Sequence, residues 1–186
     1  MIRQLRLFIA VPIPAAVRNV IGHLQTELRQ LIPGFRWSNP DNLHLTLRFL
    51  GDQPEECLEK LCKIMLSVGD SSSCFQLTIS GIDAFPSWHR GRVLWLGVEE
   101  PEPVRQLHRK LSEGLLQVGI PEEHRRFHPH LTIGRSQRFK SLPQLPLELR
   151  HRSVEAYRVD RLVLYQSRLT PQGAVHTELS VARLNG

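Results

Sequence analysis

The tripeptide His-x-Thr occurs twice in this chain, as His44-Leu45-Thr46 and as His130-Leu131-Thr132, each time inside an apolar run. From Leu43 to Phe49 polar and apolar residues alternate strictly, the period-two signature of a half-buried strand. The alternation predicts His44, Thr46 and Arg48 on one face, and Leu43, Leu45, Leu47 and Phe49 on the other, packed under helices. In the second copy His130 and Thr132 share a face, Leu131 and Ile133 oppose them, and Arg135 closes the run after Gly134. The two copies lie 86 residues apart in a chain of 186. That offset predicts an internal duplication, in which two similar lobes present equivalent strands to a common cleft.

The segments around the motifs supply the covering layers. Arg6 to Val11 reads as a strand, and Pro14 then opens a helix with Val17, Ile21, Leu24, Leu28 and Leu31 at helical spacing, stopped by Pro33-Gly34. The His44 strand is expected to end at Gly51-Asp52. A helix follows from Pro54 to Val68, its inward stripe Leu58, Leu61, Cys62 and Met65. Strands are predicted at Phe75–Ile82 and Arg92–Val98, and a helix from Pro103 to Val118. After the second motif come a Pro-containing loop from Ser136 to Pro146 and strands at Arg158–Gln166 and Val175–Ala182. Strands mixed with helices in this order imply an α+β fold with mixed or antiparallel sheets.

Residues two apart on a strand sit about 6.6–7 Å apart, so one histidine and one threonine can contact neighbouring atoms of a single small group. A phosphate has that size. Two imidazoles that titrate near neutrality can divide the work of acid and base, and each threonine hydroxyl can donate to a phosphoryl oxygen as charge accumulates. Which imidazole takes which part is not fixed by spacing. The competing interpretations are a hydrogen-bonded structural histidine in each strand, and a metal site built on His128-Pro129-His130, which lacks an HExxH or acidic companion. The two-histidine arrangement needs no metal or cofactor, because Thr46, Thr132 and Arg135 can stabilise developing charge themselves.

Composition narrows the partner. Net charge is +6 and most of the basic residues are arginine, whose planar fork binds phosphate bidentately. Arg90, Arg92, Arg125 and Arg126 flank expected loops or strand ends, as groove cations or as solvated charge. No apolar run reaches the ~20 residues that span a bilayer, and the short apolar N-terminus before Pro12 and Pro14 reads as a strand, so a cytoplasmic monomer is expected. Cys57, Cys62 and Cys74 are odd in number and lack paired CxxC spacing, which argues for buried thiols over a disulfide framework or zinc cluster.

Four blocks together resemble the two-histidine (2H) phosphoesterase superfamily, and within it the RNA 2',3'-cyclic phosphodiesterases, historically called 2'-5' RNA ligases. They are Arg6–Val11, Trp37–Gly51, Phe127–Arg135 and Leu164–Leu169, spread over nearly the whole chain. The resemblance implies one domain over residues 1–186. Its two pseudo-symmetric lobes would hold one His-x-Thr each, with two antiparallel sheets related by a pseudo-twofold axis, helices on the outer faces and a central basic groove. It also implies metal-independent hydrolysis of a terminal 2',3'-cyclic phosphate of RNA to a 2'-phosphate, with possible reverse 2'-5' joining. His44 would then be the general acid, His130 the general base, and Thr46, Thr132 and Arg135 phosphate ligands. Arg48 would line the groove, and Phe49 matches the family's aromatic after the first motif, a core role being equally open. His176 stands where relatives often carry tyrosine, a departure that bears on substrate preference. Other phosphodiester substrates of the superfamily, such as 2'-5' oligoadenylate, a small cyclic nucleotide or a 3' RNA tail, remain alternatives. So does a non-catalytic RNA-binding module that kept the groove.

Overall fold

The computed structural model describes residues 3–123, 125–154, 156–171 and 173–186; Met1 and Ile2 of the apolar N-terminus lie outside them. In chain order the elements are β1 (Gln4–Pro12), α1 (Ala15–Leu31), β2 (Arg36–Trp37), β3 (His44–Pro54), α2 (Leu58–Asp70), β4 (Phe75–Leu77), β5 (Ile79–Phe85), β6 (Gly91–Val98), α3 (Glu102–Leu116), β7 (Leu131–Lys140), α4 (Leu147–Arg150), β8 (Tyr157–Val159), β9 (Arg161–Thr170) and β10 (Gly173–Arg183). The class is α+β with antiparallel pairing, as the order of periodic segments implied.

The larger sheet runs β10-β9-β1-β3-β7-β6-β5, with β2 also paired to β7. Its two halves repeat one arrangement: β1-α1-β3 places two antiparallel neighbours around a helix, and β6-α3-β7 does the same. The halves join where β3 meets β7, antiparallel, at Leu45↔Leu131. The two expected sheets are therefore continuous through the residues that separate each histidine from its threonine.

The helices cover one face, and they bind the halves together. Val17, Ile21, Leu24 and Leu28 form the inward stripe of α1, and Ile32 rather than the exposed Leu31 completes it. The buried Gln25 donates from Nε2 to the carbonyls of Ser38 and Ile133, both at 2.9 Å, tying α1 to β7 of the other half. Helix α3 packs on β3 and on α2, and α2 in turn lies against β9 and β10. Leucine, isoleucine and valine from both halves fill one continuous core, with Leu45, Leu47, Leu131 and Ile133 at most 1% exposed.

Several boundaries differ from expectation for reasons outside the local sequence. The predicted strands at 75–82 and 158–166 each break at one residue, Thr78 and Asp160. The short pieces before the breaks, β4 and β8, pair with each other as a separate ribbon. β7 continues to Lys140 where a loop was predicted, because Gly91 of β6 pairs with Lys140. β3 continues past Gly51 to Pro54, and Gly51 adopts φ 69 beside a bulge, a backbone shape for which glycine lacks the Cβ penalty. Cys57, Cys62 and Cys74 are free thiols, half-buried rather than fully buried. No helix among the described residues is long and apolar enough to cross a membrane.

Candidate active site

Both histidines stand at strand entries. Asn39 caps the short turn Pro40–Asn42 by accepting from the amide of Asp41, and the chain then enters β3 at His44. The His44 Nδ1 lies 2.7 Å from the carbonyl of Asn42, and His130 Nδ1 lies 2.7 Å from the carbonyl of His128. A carbonyl can only accept, so Nδ1 carries the proton in both rings and Nε2 is left for the reaction. The same backbone device, a bond to residue i−2, fixes both tautomers without a carboxylate.

The pairing Leu45↔Leu131 sets the relation between the motifs. In an antiparallel pair, one step outward on each strand places His44 across from Thr132, and one step the other way places Thr46 across from His130. The positive charge of Arg135 acts on both imidazoles, and that of His130 acts on His44, so these groups share one site.

A bulge in each strand sets which face the residues beyond it take. In β3, Arg48 pairs with Ile9 and Thr46 with Ala10, leaving Leu47 as the extra residue; in β7, Gly134 pairs with Leu94 and Thr132 with Trp95, leaving Ile133 extra. Leu47 and Ile133 are equivalent positions of the two motifs. An extra residue reverses the alternation after it. Phe49 and Arg135, also equivalent, therefore return to the histidine face. Phe49 is 59% exposed, with its ring 6.1 Å from Phe8. Its role as a core residue is excluded.

The expectation for Arg48 is corrected by the same bulge. Its side chain points away from His44 into the helix-covered layer, where it is 2% exposed. There it donates to the Pro121 carbonyl and lies 3.8 Å from Glu123. Arg48 does not line the groove.

Each histidine is set against aromatic rings that spacing alone did not reveal. His44 packs on Phe8 at 4.6 Å between centroids and edge-on to His176 at 5.2 Å, with Tyr165 stacked on Phe8 at 5.1 Å. His130 meets Phe85 at 4.9 Å and Trp95 at 6.1 Å. His128, the other member of the HxH pair, packs on Trp95 at 4.9 Å. Among the described residues, no three His, Cys, Asp or Glu side chains converge as a metal-binding group. These rings come from strands distant in sequence; the available signal was the aromatic content of Phe8, Trp95 and Tyr165 within strand-like runs.

Burial and neighbouring positive charge shape the titration of the pair. His44 is lowered to about 4, first by burial, against the bond to Asn42, and then by His176, Arg135 and His130. His130 is lowered by burial, opposed by its bond to His128 and reinforced by His128 and Arg135. Both rings are neutral at pH 7 in the free protein. A phosphate anion placed among them supplies the missing negative charge and favours the protonated form of either ring.

This fold and this pair of motifs define a two-histidine phosphoesterase, and residues 11–170 match the model of the 2'-5' RNA ligase superfamily, to which the chain belongs. The RNA 2',3'-cyclic phosphodiesterase of Methanothermobacter thermautotrophicus is 33% identical over 184 residues, covering 97% of this chain and 100% of its own length. The enzyme of the same name from Archaeoglobus fulgidus is 32% identical, covering 95% of this chain and 99% of its own. Among solved structures, E. coli LigT complexed with 3'-AMP superposes with a TM-score of 0.81 at 28% identity, over 99% of this chain and 100% of that one.

Proposed function

We propose that this protein is an RNA 2',3'-cyclic phosphodiesterase that hydrolyses a terminal cyclic phosphate to a 2'-phosphate, with His44 as general acid and His130 as general base. The observation that carries this is the matched pair of imidazoles, each with Nδ1 spent on a carbonyl and Nε2 free, set across one antiparallel junction from the other motif's threonine. Its relatives' shared name, and the 3'-AMP and phosphate complexes of LigT, support the same substrate class.

In the reaction His130 Nε2 takes a proton from water as the water oxygen bonds to phosphorus. The bond from phosphorus to O3' breaks, and His44, which takes a proton from solvent because the anionic substrate raises its affinity for one, gives its Nε2 proton to the departing O3'. Thr46, Thr132 and Arg135 hold the phosphoryl oxygens as charge builds on them. The same groups serve 2'-5' joining when a 5'-hydroxyl replaces water. Both histidines come from one chain, which supports a monomeric catalytic unit; the substrate in this reading is an RNA or oligonucleotide with a cyclic phosphate end, met in the cytoplasm.

The test is an oligonucleotide ending in a 2',3'-cyclic phosphate, with the product identified as 2'- or 3'-phosphate. His44→Ala and His130→Ala are each expected to lower kcat by about 10²–10⁴-fold, and EDTA is expected to leave the rate unchanged. Full activity in the double variant would remove the assignment, and a chelator-sensitive rate would move the chemistry to a metal.

A further inference from the structure

Beyond Arg135, the end of β7 carries a basic patch to which the two motifs give no role. Gly91 of β6 pairs with Lys140 of β7. Both turn toward the helix layer: a Cβ on Gly91 would meet Leu142 and Ala84 of the core, and Lys140 Nζ donates to the Pro33 carbonyl, just past α1, at 3.2 Å. Phe139 therefore takes the opposite face, which Arg135, four residues earlier, shares with His130 and Thr132. At most about 14 Å of extended chain separates Phe139 from Arg135.

Phe139 is 50% exposed, and Arg90 and Arg92 lay their guanidinium groups over its ring, 4.8 and 5.1 Å from the centroid. Arg90 belongs to the turn Trp88–Arg90, which three hydrogen bonds pin in place. The Arg90 amide donates to the Ser87 carbonyl, the Leu142 amide to the Trp88 carbonyl, and Trp88 Nε1 to the Pro143 carbonyl, each at 3.1 Å. The two guanidinium groups are thus gathered on one ring before any ligand arrives. Neither they nor the exposed Arg138 beside them has a carboxylate partner among the described residues. Like charges held this way repel each other, and a phosphate bound by their planar forks relieves the repulsion. Guanidinium planes also stack with unpaired bases, so a single strand of RNA satisfies both parts of the patch.

Position in the sheet says which strand. β7 lies between β3, which holds His44, and β6, which holds Arg92, so the patch is on the His130 side of the reacting phosphorus. Phosphoryl transfer sets the attacking and leaving oxygens roughly in line. In the proposed reaction the strand that carries the cyclic phosphate therefore lies toward His44, and the nucleophile arrives from the side of His130.

We propose that Arg90, Arg92 and Phe139 form the docking surface for a second RNA strand, the one whose 5'-hydroxyl replaces water in 2'-5' joining. In that step the 5'-hydroxyl gives its proton to His130 Nε2 as its oxygen bonds to phosphorus, the bond from phosphorus to O3' breaks, and O3' takes the proton of His44. Holding the strand by its own phosphates raises the local concentration of the hydroxyl at phosphorus. The inference rests on the proposed reaction, which assigns the nucleophile to His130.

The experiment uses RNA with a single 2'-5' junction, whose cleavage is the joining step reversed: O3' attacks phosphorus, and O5' leaves with the proton of His130. The part downstream of the junction is either one nucleoside or a strand of five nucleotides, and kcat/KM is compared. The wild-type protein is expected to favour the longer strand by about five- to thirtyfold, the effect of two partly solvated charge contacts. In Arg90→Gln/Arg92→Gln this ratio is expected to fall toward one, while hydrolysis of a cyclic-phosphate oligonucleotide, which has no downstream strand, stays at the wild-type rate and shows that the variant is folded. Arg90→Lys/Arg92→Lys, which keeps the charge and loses the planar fork, is expected to retain part of the ratio. Equal kcat/KM for the two junction substrates in wild type, a ratio that survives in the glutamine variant, or hydrolysis of the cyclic phosphate with no cleavage of either junction would overturn the docking surface and leave the reaction standing. Failure to turn over the cyclic-phosphate oligonucleotide itself would remove the reaction and the inference with it.

Discussion

The carbonyls of Asn42 and His128 hold the protons of the two imidazoles on Nδ1, so in the proposed reaction the titration of Nε2 governs the chemistry. In the free protein both rings are lowered from the usual histidine value, His44 to about 4. The kcat/KM profile, which reports free protein, is therefore expected to be bell-shaped with both limbs below pH 6.5. Bound substrate adds a negative charge that raises the acid, so the basic limb of kcat is expected at higher pH than that of kcat/KM; superimposable profiles would contradict this. The same burial has a stability consequence. The unfolded chain protonates His44 near pH 6.5 and the folded chain near 4, so below 6.5 the unfolded state binds more protons. Stability present above pH 6.5 is lost as pH falls toward 4, by about 3 kcal/mol for this group. Urea titrations of the wild type and His44→Gln across that window check it, the variant being the flatter. The four motif residues were legible in the sequence because the copies repeat one pattern. Arg48 was not. Arg48→Ala empties a buried site and takes the guanidinium donor from the Pro121 carbonyl, an expected loss of about 1–3 kcal/mol, with the partly exposed Glu123 left to solvent; Arg48→Met is milder because it keeps volume. Denaturant midpoints with unchanged m-values measure the difference.

At the scale of the element, the bulges at Leu47 and Ile133 do what the alternation could not announce. Period-two patterning assigns faces only while every residue has one partner, and the extra residue is defined by registration against β1 and β6, which are distant in sequence. The pairing of β4 with β8 and the extension of β7 were invisible for the same reason. Helices fared better, because the stripe of α1 is local: Val17, Ile21, Leu24 and Leu28 fall where 3.6-residue spacing puts them. Gln25 on that stripe is the informative exception, a polar side chain that crosses from one half to the other. Gln25→Ala leaves the carbonyls of Ser38 and Ile133 without this donor, and the expected loss is about 1–3 kcal/mol. Since Ile133 adjoins Thr132, the variant is also expected to raise KM for the cyclic-phosphate oligonucleotide; a stability loss with unaltered kinetics would show that the link only holds the helix.

For the molecule as a whole, two electrostatic effects act at different ranges. The +6 net charge works at long range, and salt screens it with a Debye length of about 10 Å at 0.1 M. Arg135, whose charge acts on both histidines, is in the proposed reaction the cation that works at contact distance on a single phosphate. An oligonucleotide feels both, whereas a mononucleotide with one cyclic phosphate feels mainly the second. The logarithm of kcat/KM is therefore expected to fall more steeply with the logarithm of salt for a ten-nucleotide RNA than for a 5'-phosphorylated mononucleotide, both ending in a cyclic phosphate. Arg135→Ala is expected to lower activity on both substrates by similar factors while changing the RNA slope by no more than about one phosphate contact, near 0.7 for a single strand. If the slopes coincide in wild type, the positive charge spread over the surface plays no part in capturing RNA, and the site acts on the terminal nucleotide alone.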